Sequence, residues 1–280
     1  MDHLLWSHEP ILRRPIIIAA FEGWNDAGDA ATTAARYLAK HWQGRAFADI
    51  DAECFFDFTT MRPQVAIETG GERVITWPTN RFTASPVVGL DGDVIVLEGT
   101  EPALMWRTFC EQIVGLARRF DAQLVLTLGA LVSDVPHSRP VQIYGAAYHT
   151  DAVERLGVES STYEGPTGIV GVLHAACRAA EIPSASLWAA VPSYVHGSPS
   201  PKAALALVEK VGEILRVNLP TTELQIAAAQ YERQVSELIA DDDETTDVVR
   251  NLESRYDDMD SSDSLVEEVE QFLRNRPQEG

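Results

Sequence analysis

Polar residues in short loops carry the groups that could do chemistry in this 280-residue chain. Glu22, Asn25 and Asp26 place two carboxylates and one amide around Trp24. Such a group could hold a sugar, an amine or a metal ion. A second interpretation has equal weight, because Asn25 and Asp26 are preferred N-cap residues and a helix is predicted to begin close after them.

A glycine-rich loop at residues 164–168 precedes a predicted helix, and Glu164 opens it. Its Gly165, Thr167 and Gly168 could present backbone N–H groups to an anion, since anions bind at helix N-termini. The loop lacks the Lys-Ser/Thr pair of a P-loop, and its glycine spacing departs from the dinucleotide-binding fingerprint. A tight turn with close helix–sheet packing is therefore favoured over an anion site.

A third loop combines an acid, an imidazole and a guanidinium within six residues. His137 could act as a general base oriented by Asp134. A salt bridge between Asp134 and Arg139 within the loop is the favoured alternative. His196 adds a second imidazole further along the chain, but no Gly-x-Ser-x-Gly elbow supports serine chemistry.

The sequence contains no motif for a metal or a cofactor, since His-Glu-x-x-His, Cys-x-x-Cys and EF-hand patterns are all missing from it. We therefore expect no dedicated metal site and no cofactor. Cys54, Cys110 and Cys177 are odd in number and far apart. No disulfide framework is predicted from them, and a reducing compartment is expected.

The elements that must position these loops alternate between strands and helices. Residues 16–21, 94–97, 124–128 and 185–191 are apolar runs typical of strands buried on both faces. Helical segments between them predict an α/β fold with a mostly parallel sheet and right-handed crossovers. Residues 65–77 alternate in polarity around a Gly-Gly pair, which predicts a hairpin added to that sheet.

Ligand pockets of parallel sheets form at the carboxyl ends of the strands. The loops 22–28, 98–102, 129–139, 164–168 and 192–200 should therefore meet at one rim. Catalytic roles are not assigned. The candidate cleft residues at this rim are Glu22, Asn25, Asp26, Glu98, Asp134, His137, Glu164, Gly165, Thr167, Gly168 and His196.

The net charge of the chain and the length of its apolar runs exclude some classes of binding partner and location. The chain has 42 acidic and 22 basic residues, a formal charge of −20, which argues against nucleic acid and anionic membranes. Its apolar runs fall short of the ~20 residues of a membrane span and no signal peptide is read, so a cytoplasmic protein is expected. Residues 219–280 hold 17 of the acids and 5 of the bases. We divide the chain into an α/β core domain, 1–218, and an acidic helical C-terminal region, 219–280.

Over residues 15–260 the sequence resembles the proteasome assembly chaperone family, and more closely its bacterial branch in actinobacteria. The phrases that carry the resemblance are GWNDAG at 23–28, GAL at 129–131 leading to DVPH at 134–137, EGPTG at 164–168, SPSPKAA at 198–204 and YERQV at 231–235. The resemblance implies a fold similar to purine nucleoside phosphorylases and related hydrolases. Such a fold is a three-layer αβα sandwich around a mixed sheet, here with a C-terminal helical appendage.

The resemblance also implies self-assembly, with a trimer as the first expectation, and proteasome subunits as partners. Characterised archaeal and eukaryotic relatives are implied to help assemble the proteasome α ring rather than to catalyse a reaction. Two functions stay open. The first is an oligomeric, chaperone-like interaction protein without established catalysis. The second is a small-molecule binder of nucleoside or phosphate type, or a hydrolase or transferase, whose candidate residues would have to converge on one open pocket.

Overall fold

The computed structural model describes residues 3–147, 159–160, 164–195 and 197–259. The candidate His196 lies outside these residues, and so do two segments that the sequence predicts to be helical, 151–156 and 265–273. Within them the strands are β1 (Leu4–Trp6), β2 (Ile16–Glu22), β3 (Arg45–Ile50), β4 (Gln64–Ile67), β5 (Arg73–Thr76), β6 (Asn80–Pro86), β7 (Asp93–Thr100), β8 (Leu124–Ser133), β9 (Ile143–Ala147), β10 (Glu159–Ser160) and β11 (Ser184–Pro192). The helices are α1 (Ala30–His41), α2 (Trp106–Arg119), α3 (Ile169–Ala179), α4 (Pro201–Leu215), α5 (Thr222–Ala240) and α6 (Asp243–Met259).

Nine of these strands form one mixed sheet in the order β1-β3-β6-β7-β2-β8-β11-β9-β10. The four central strands β7, β2, β8 and β11 run parallel to one another. On one side the sheet is extended by the antiparallel strands β6, β3 and β1. On the other side β9 pairs antiparallel with β11. The continuous apolar runs of the sequence are thus the buried parallel strands, as their composition predicts.

Helices cover both faces of the sheet, because alternate residues of each central strand point to opposite sides. On β2, Ile16 and Ile18 face the layer of α1 and α4. Ile17 and Phe21 face the layer of α2 and α3, where phenylalanines dominate the core. The three-layer αβα sandwich around a mixed sheet is therefore confirmed.

The C-terminal helices form an appendage that is anchored in the first of these layers. Helix α5 packs on α4, and α6 follows it. Leu219 and Leu224 belong to the same apolar cluster as α1 and α4. Val249 and Leu252 give α6 its buried positions. The appendage is thus attached by apolar packing as well as by the polar contacts described below.

The predicted hairpin exists, but its expected place in the sheet is wrong. Strands β4 and β5 pair only with each other, as a separate two-stranded sheet whose connection spans residues 68–72. The antiparallel addition to the main sheet is made instead by β1, β3 and β6. Alternating polarity predicts strand pairing within a hairpin, but it does not say to which sheet the pair will bond.

Candidate functional site

The five predicted loops meet at one rim, and hydrogen bonds join them. The Ala130 N–H donates to the carbonyl of Asn25, at 2.8 Å, and the Ser200 N–H donates to the carbonyl of Gly28, at 2.7 Å. The Glu101 N–H donates to the carbonyl of Glu22, at 2.9 Å. The carboxyl ends of β7, β2, β8 and β11 therefore support one connected set of loops, as the parallel sheet requires.

Asn25, which is buried, and Glu101, which is half-buried, form a polar pair at the N-terminus of α3. Oε1 of Glu101 accepts from the side-chain amide of Asn25, at 2.9 Å, and from the N–H of Ile169, at 2.8 Å. A carboxylate thus lies where the helix dipole favours negative charge. Oδ1 of Asn25 is buried and has no hydrogen-bond partner among the residues that the structure describes. A Cβ on Gly168 would lie 2.7 Å from both polar atoms of the Asn25 amide, so glycine is needed for this approach.

Asp26 stabilises the start of α1, which matches the capping interpretation for this residue. Its carboxylate accepts from the N–H of Ala31, at 2.6 Å, and from the N–H of Thr32, at 3.3 Å. The Thr32 hydroxyl donates to it as well. Burial raises the pKa of Asp26 despite these bonds. Asn25 does not cap α1, because its side chain is directed to Glu101 instead.

Glu22 and Glu98 belong to a ladder of charges on the α1 side of the sheet. Arg36 of α1 pairs with Glu22 and lies 3.5 Å from Oε2 of Glu98. Next to Glu98 on the neighbouring strand, Arg81 pairs with Asp49 at 2.8 Å. Burial raises the pKa of Glu98, while Arg36 opposes that shift. The carboxylates are already paired with guanidinium groups, which is the usual condition for keeping partly buried charges.

His137 is 4% exposed and is held by a network that fixes its tautomer. Its backbone N–H donates to the Tyr194 hydroxyl, at 2.7 Å, so that hydroxyl directs its own proton to Nδ1, at 2.8 Å. Nε2–H then donates to the Ser236 hydroxyl, at 2.9 Å, which donates to the carbonyl of Glu232. Burial and the nearby Lys202 lower the pKa of His137. The imidazole is therefore neutral and bonded at both nitrogens.

The rest of the 134–139 loop is bonded to α6. Arg139 makes a two-pronged pair with Asp257, at 2.7 and 2.8 Å, and Ser138 donates to Glu253. The predicted salt bridge between Asp134 and Arg139 is therefore wrong. Asp134 accepts from the Ser193 hydroxyl instead, at 2.7 Å. Asp257 and Glu253 of α6 lie closer to the Arg139 guanidinium than Asp134 of the same loop does. Proximity in the sequence did not predict this.

Lys202 completes the connection between the loop and the C-terminal helices. Its ammonium donates to the carbonyl of His137 and to Glu232 of α5, both at 2.5 Å. The cavity between the 135–141 loop, Ser200, Lys202 and Tyr231 has a volume of about 10 Å³. One water molecule would fill such a space. His137 is thus covered by α5 and has no room beside it for a substrate.

The remaining candidates separate into exposed and undescribed residues. Glu164, Gly165 and Thr167 are exposed, whereas Gly168 is buried. His196 lies outside the described residues. Among the described candidates, the side chains divide between the Asn25–Glu101 pair, the cap of α1, the charge ladder and the His137 network. Within the described part of the chain, no group of three or more His, Cys, Asp or Glu could hold a metal ion.

Several of the bonded residues were not among the sequence candidates, and Glu101, Tyr194 and Ser236 are three that bond directly to one. Glu101 follows strand β7 directly, so its place in the 98–102 loop was the available signal. Tyr194 similarly follows β11 in the 192–200 loop. Ser236 is 99 positions from His137, and no local pattern connects the two.

Apolar side chains are also exposed at this rim. Trp24 is 39% exposed, Leu104 49% and Met105 50%. The loops that carry them are joined by the bond between Glu101 and Glu22. Exposed apolar side chains on neighbouring loops are a candidate for a protein-contact surface, since contiguous exposed apolar patches typically mark such surfaces.

A family model described as PAC2 family matches residues 20–239. A PAC2 family protein from Streptomyces avermitilis is similar in structure, with a TM-score of 0.79 and 44% identity, and the alignment covers 84% of this chain and 99% of that one. A proteasome-assembly chaperone homologue from Mycobacterium tuberculosis gives 0.76 and 41%, with the same coverage.

An archaeal protein is also similar to this chain, at lower sequence identity. An archaeal proteasome activator from Pyrococcus furiosus has a TM-score of 0.68 and 20% identity, covering 84% of this chain and 97% of its own. At that identity the similarity establishes the shared fold alone. No curated protein matches the chain. The family model ends at residue 239, so α6 and its contacts to the 134–139 loop lie beyond it. None of the described helices combines the length and apolar character that a bilayer span requires.

Proposed function

Because this chain belongs to the PAC2 family, we propose that it is a proteasome-assembly-chaperone-like protein that acts by binding other proteins. Relatives at 41–44% identity support this proposal, one of which is named a proteasome-assembly chaperone homologue. We propose proteasome subunits as its partners and the cytoplasm as its location. We also propose that it is a homo-oligomer, with the trimer kept as the first expectation.

The observation that carries this proposal over enzymatic chemistry is the bonding of His137. A general base needs access to a substrate proton, whereas both nitrogens of this imidazole are occupied by Tyr194 and Ser236. The adjoining cavity of about 10 Å³ holds no substrate. The loop that could have carried acid–base chemistry instead attaches the C-terminal helices to the body.

The apolar rim side chains supply a surface for the partner. We propose that Trp24, Leu104 and Met105 contact a proteasome subunit. These side chains are exposed on two joined loops at the carboxyl end of the sheet. Their exposure is costly in water unless a partner covers them, at about 25 cal/mol per Å² of apolar area.

The test is co-expression with the α and β subunits of an actinobacterial proteasome, followed by capture of the tagged chain. The variant Leu104→Glu/Met105→Glu adds two acids just before the N-terminus of α2, where the helix dipole tolerates them. The control Ile11→Glu/Val88→Glu adds the same charge at the opposite end of the central strands, at side chains 100% and 99% exposed. We expect captured subunits to fall at least tenfold for the rim variant alone. If both variants capture equal amounts of subunits, the proposal that the rim is the contact surface is wrong. If the unaltered chain captures none, the proposed function itself is wrong.

A second candidate function, small-molecule binding, is favoured by the unpartnered Oδ1 of Asn25. An orphaned buried acceptor costs about 1–3 kcal/mol unless a donor reaches it. Glu101 already occupies the α3 N-terminus with negative charge, so a hydroxyl- or amine-bearing molecule such as a nucleoside fits better than phosphate. A thermal-shift screen should show a higher melting temperature with nucleosides than with inorganic phosphate. If neither ligand changes the melting temperature, small-molecule binding is refuted and protein binding remains the only proposed function.

A further inference from the structure

The β4–β5 hairpin exposes an apolar face that the rest of the described chain does not cover. Val65 pairs directly with Ile75, and Ile67 pairs with Arg73. Because strand side chains alternate and directly opposed residues share a side, Val65, Ile67 and Ile75 point to the same side of the hairpin, with Arg73 at its turn end. They are 55%, 70% and 55% exposed, and Trp77, two residues after Ile75, is 45% exposed.

The hairpin is poorly supported by its own packing. A two-stranded sheet is marginally stable in water and ordinarily needs a third strand or a packed face. Here β4 and β5 bond only with each other, and all but one of their residues are exposed. One contact to the body is the edge-on packing of Trp77 against Phe58, with ring centroids 4.8 Å apart. The apolar face therefore has the character of a contact surface.

We propose that this face packs against the same hairpin face of a second copy of the chain. The proposal rests on the homo-oligomer proposed above, but it names a dimer contact in place of the trimer. Contact between identical faces needs only one self-complementary patch, which a two-fold axis brings together. The central Val65–Ile75 pair of one copy would then lie over the corresponding pair of the next.

Charge favours a second copy at this position. Two chains that each carry −20 repel one another unless the surfaces that meet are neutral. Residues 61–77 hold Arg62, Glu68, Glu72 and Arg73, and therefore have no net charge. The acidic region 219–280 is the opposite case, since its excess of acids would oppose contact between copies. The hairpin is thus a place where two copies can approach without adding to the net negative charge at the contact.

The area available is consistent with a contact that extends beyond the hairpin. The four apolar side chains expose on the order of 400 Å² per copy, whereas a standard interface buries about 800 Å² per partner. Met61, also exposed, adjoins the hairpin in sequence. Side chains of that loop would supply part of the remainder.

The test compares two variants of the full chain by sedimentation and light scattering over a concentration series. Ile67→Glu/Ile75→Glu places two acids on the apolar face. Ala66→Glu/Thr76→Glu places two acids in the same diagonal arrangement on the opposite face, so the added charge and its position along the hairpin are matched. Circular dichroism verifies that both variants retain the fold. The same preparations are then used for capture of proteasome subunits.

We expect the unaltered chain and the opposite-face control to have a mass above the 30.8-kDa monomer. The apolar-face variant should be monomeric, with its dissociation constant raised at least tenfold, while it still captures proteasome subunits. A monomeric unaltered chain, or an unchanged mass for the apolar-face variant, overturns the proposal. Loss of capture with unchanged mass would assign the face to the proteasome contact, and the proposed function would then survive the failure of this inference.

Discussion

Replacing His137 by leucine should loosen the attachment of α5 to the body by a predictable amount. Leucine keeps most of the side-chain volume but removes the bonds to Tyr194 and Ser236, at 2.8 and 2.9 Å. Each bond contributes about 0.5–1.5 kcal/mol net. The expected loss in the free energy of unfolding is therefore about 1–3 kcal/mol, or roughly 2–4 °C in melting temperature per kcal/mol for a chain of this size.

A double-mutant cycle isolates the contact with α5. His137→Leu, Ser236→Ala and the double variant are compared by denaturant unfolding at pH 7.5, followed by tryptophan fluorescence and circular dichroism. We expect a coupling free energy of about 1 kcal/mol, since the two side chains share one hydrogen bond. Additivity within about 0.3 kcal/mol would refute the network as described. His8→Leu, which removes a partly exposed imidazole bonded to Ser7, is the matched control.

The same network fixes the sign of the pH dependence. The pKa of His137 is lowered by burial and by Lys202, so the unfolded chain takes up a proton there before the folded chain does. Stability from this residue is therefore complete above the ordinary pKa of 6.5 and is lost as the pH falls below it. The charged groups that face the ring also include Glu232 and Glu253, which oppose this shift. The destabilisation caused by His137→Leu should be smaller at pH 5.5 than at pH 7.5, and an equal effect at both would contradict the assignment.

Two further predictions concern the rim and the appendage. Gly168→Ala should lower stability by about 1–3 kcal/mol in thermal unfolding, because its Cβ would lie 2.7 Å from the buried amide of Asn25. Gly115→Ala, in α2 with no atom within 4 Å of the added Cβ, should raise stability by up to about 1 kcal/mol, and a loss at both positions would contradict the steric argument. Removal of residues 243–280 should lower the melting temperature, since Arg139 loses Asp257 and the body loses the cover of Leu252. An unchanged melting temperature would mean that α6 is not held by these contacts.

Much of the sheet could be predicted from sequence because its strands are buried on both faces. The runs at 16–21 and 124–128 lack polar residues at alternate positions apart from Thr127. The sequence therefore predicts that both faces of these strands are buried. The meeting of the loops at one rim could be predicted from the parallel direction of the strands alone. The domain division at residue 218 remains a prediction, although Leu219 and Leu224 pack into the apolar cluster of the body.

The arrangement of polar side chains at the rim could not be predicted, because their partners are distant in the chain. Arg139 pairs with Asp257 across 118 positions, whereas the sequence favoured Asp134 nearby. A proline such as Pro102 is typical of the first turn of a helix, but α2 begins only at Trp106. The alanines that follow His174 in the sequence indicate a packed residue, and full burial lowers its pKa to about 3. Packing could be predicted from apolar neighbours, whereas specific polar pairs could not.

Reconstituted proteasome assembly tests the central claim most directly. Purified α and β subunits of an actinobacterial proteasome are mixed with and without an equimolar amount of this chain, and particle mass is followed with time on native gels. The account predicts a complex between the chain and the subunits before full-size particles form, together with faster accumulation of those particles. Identical time courses, with the chain migrating alone throughout, would contradict it.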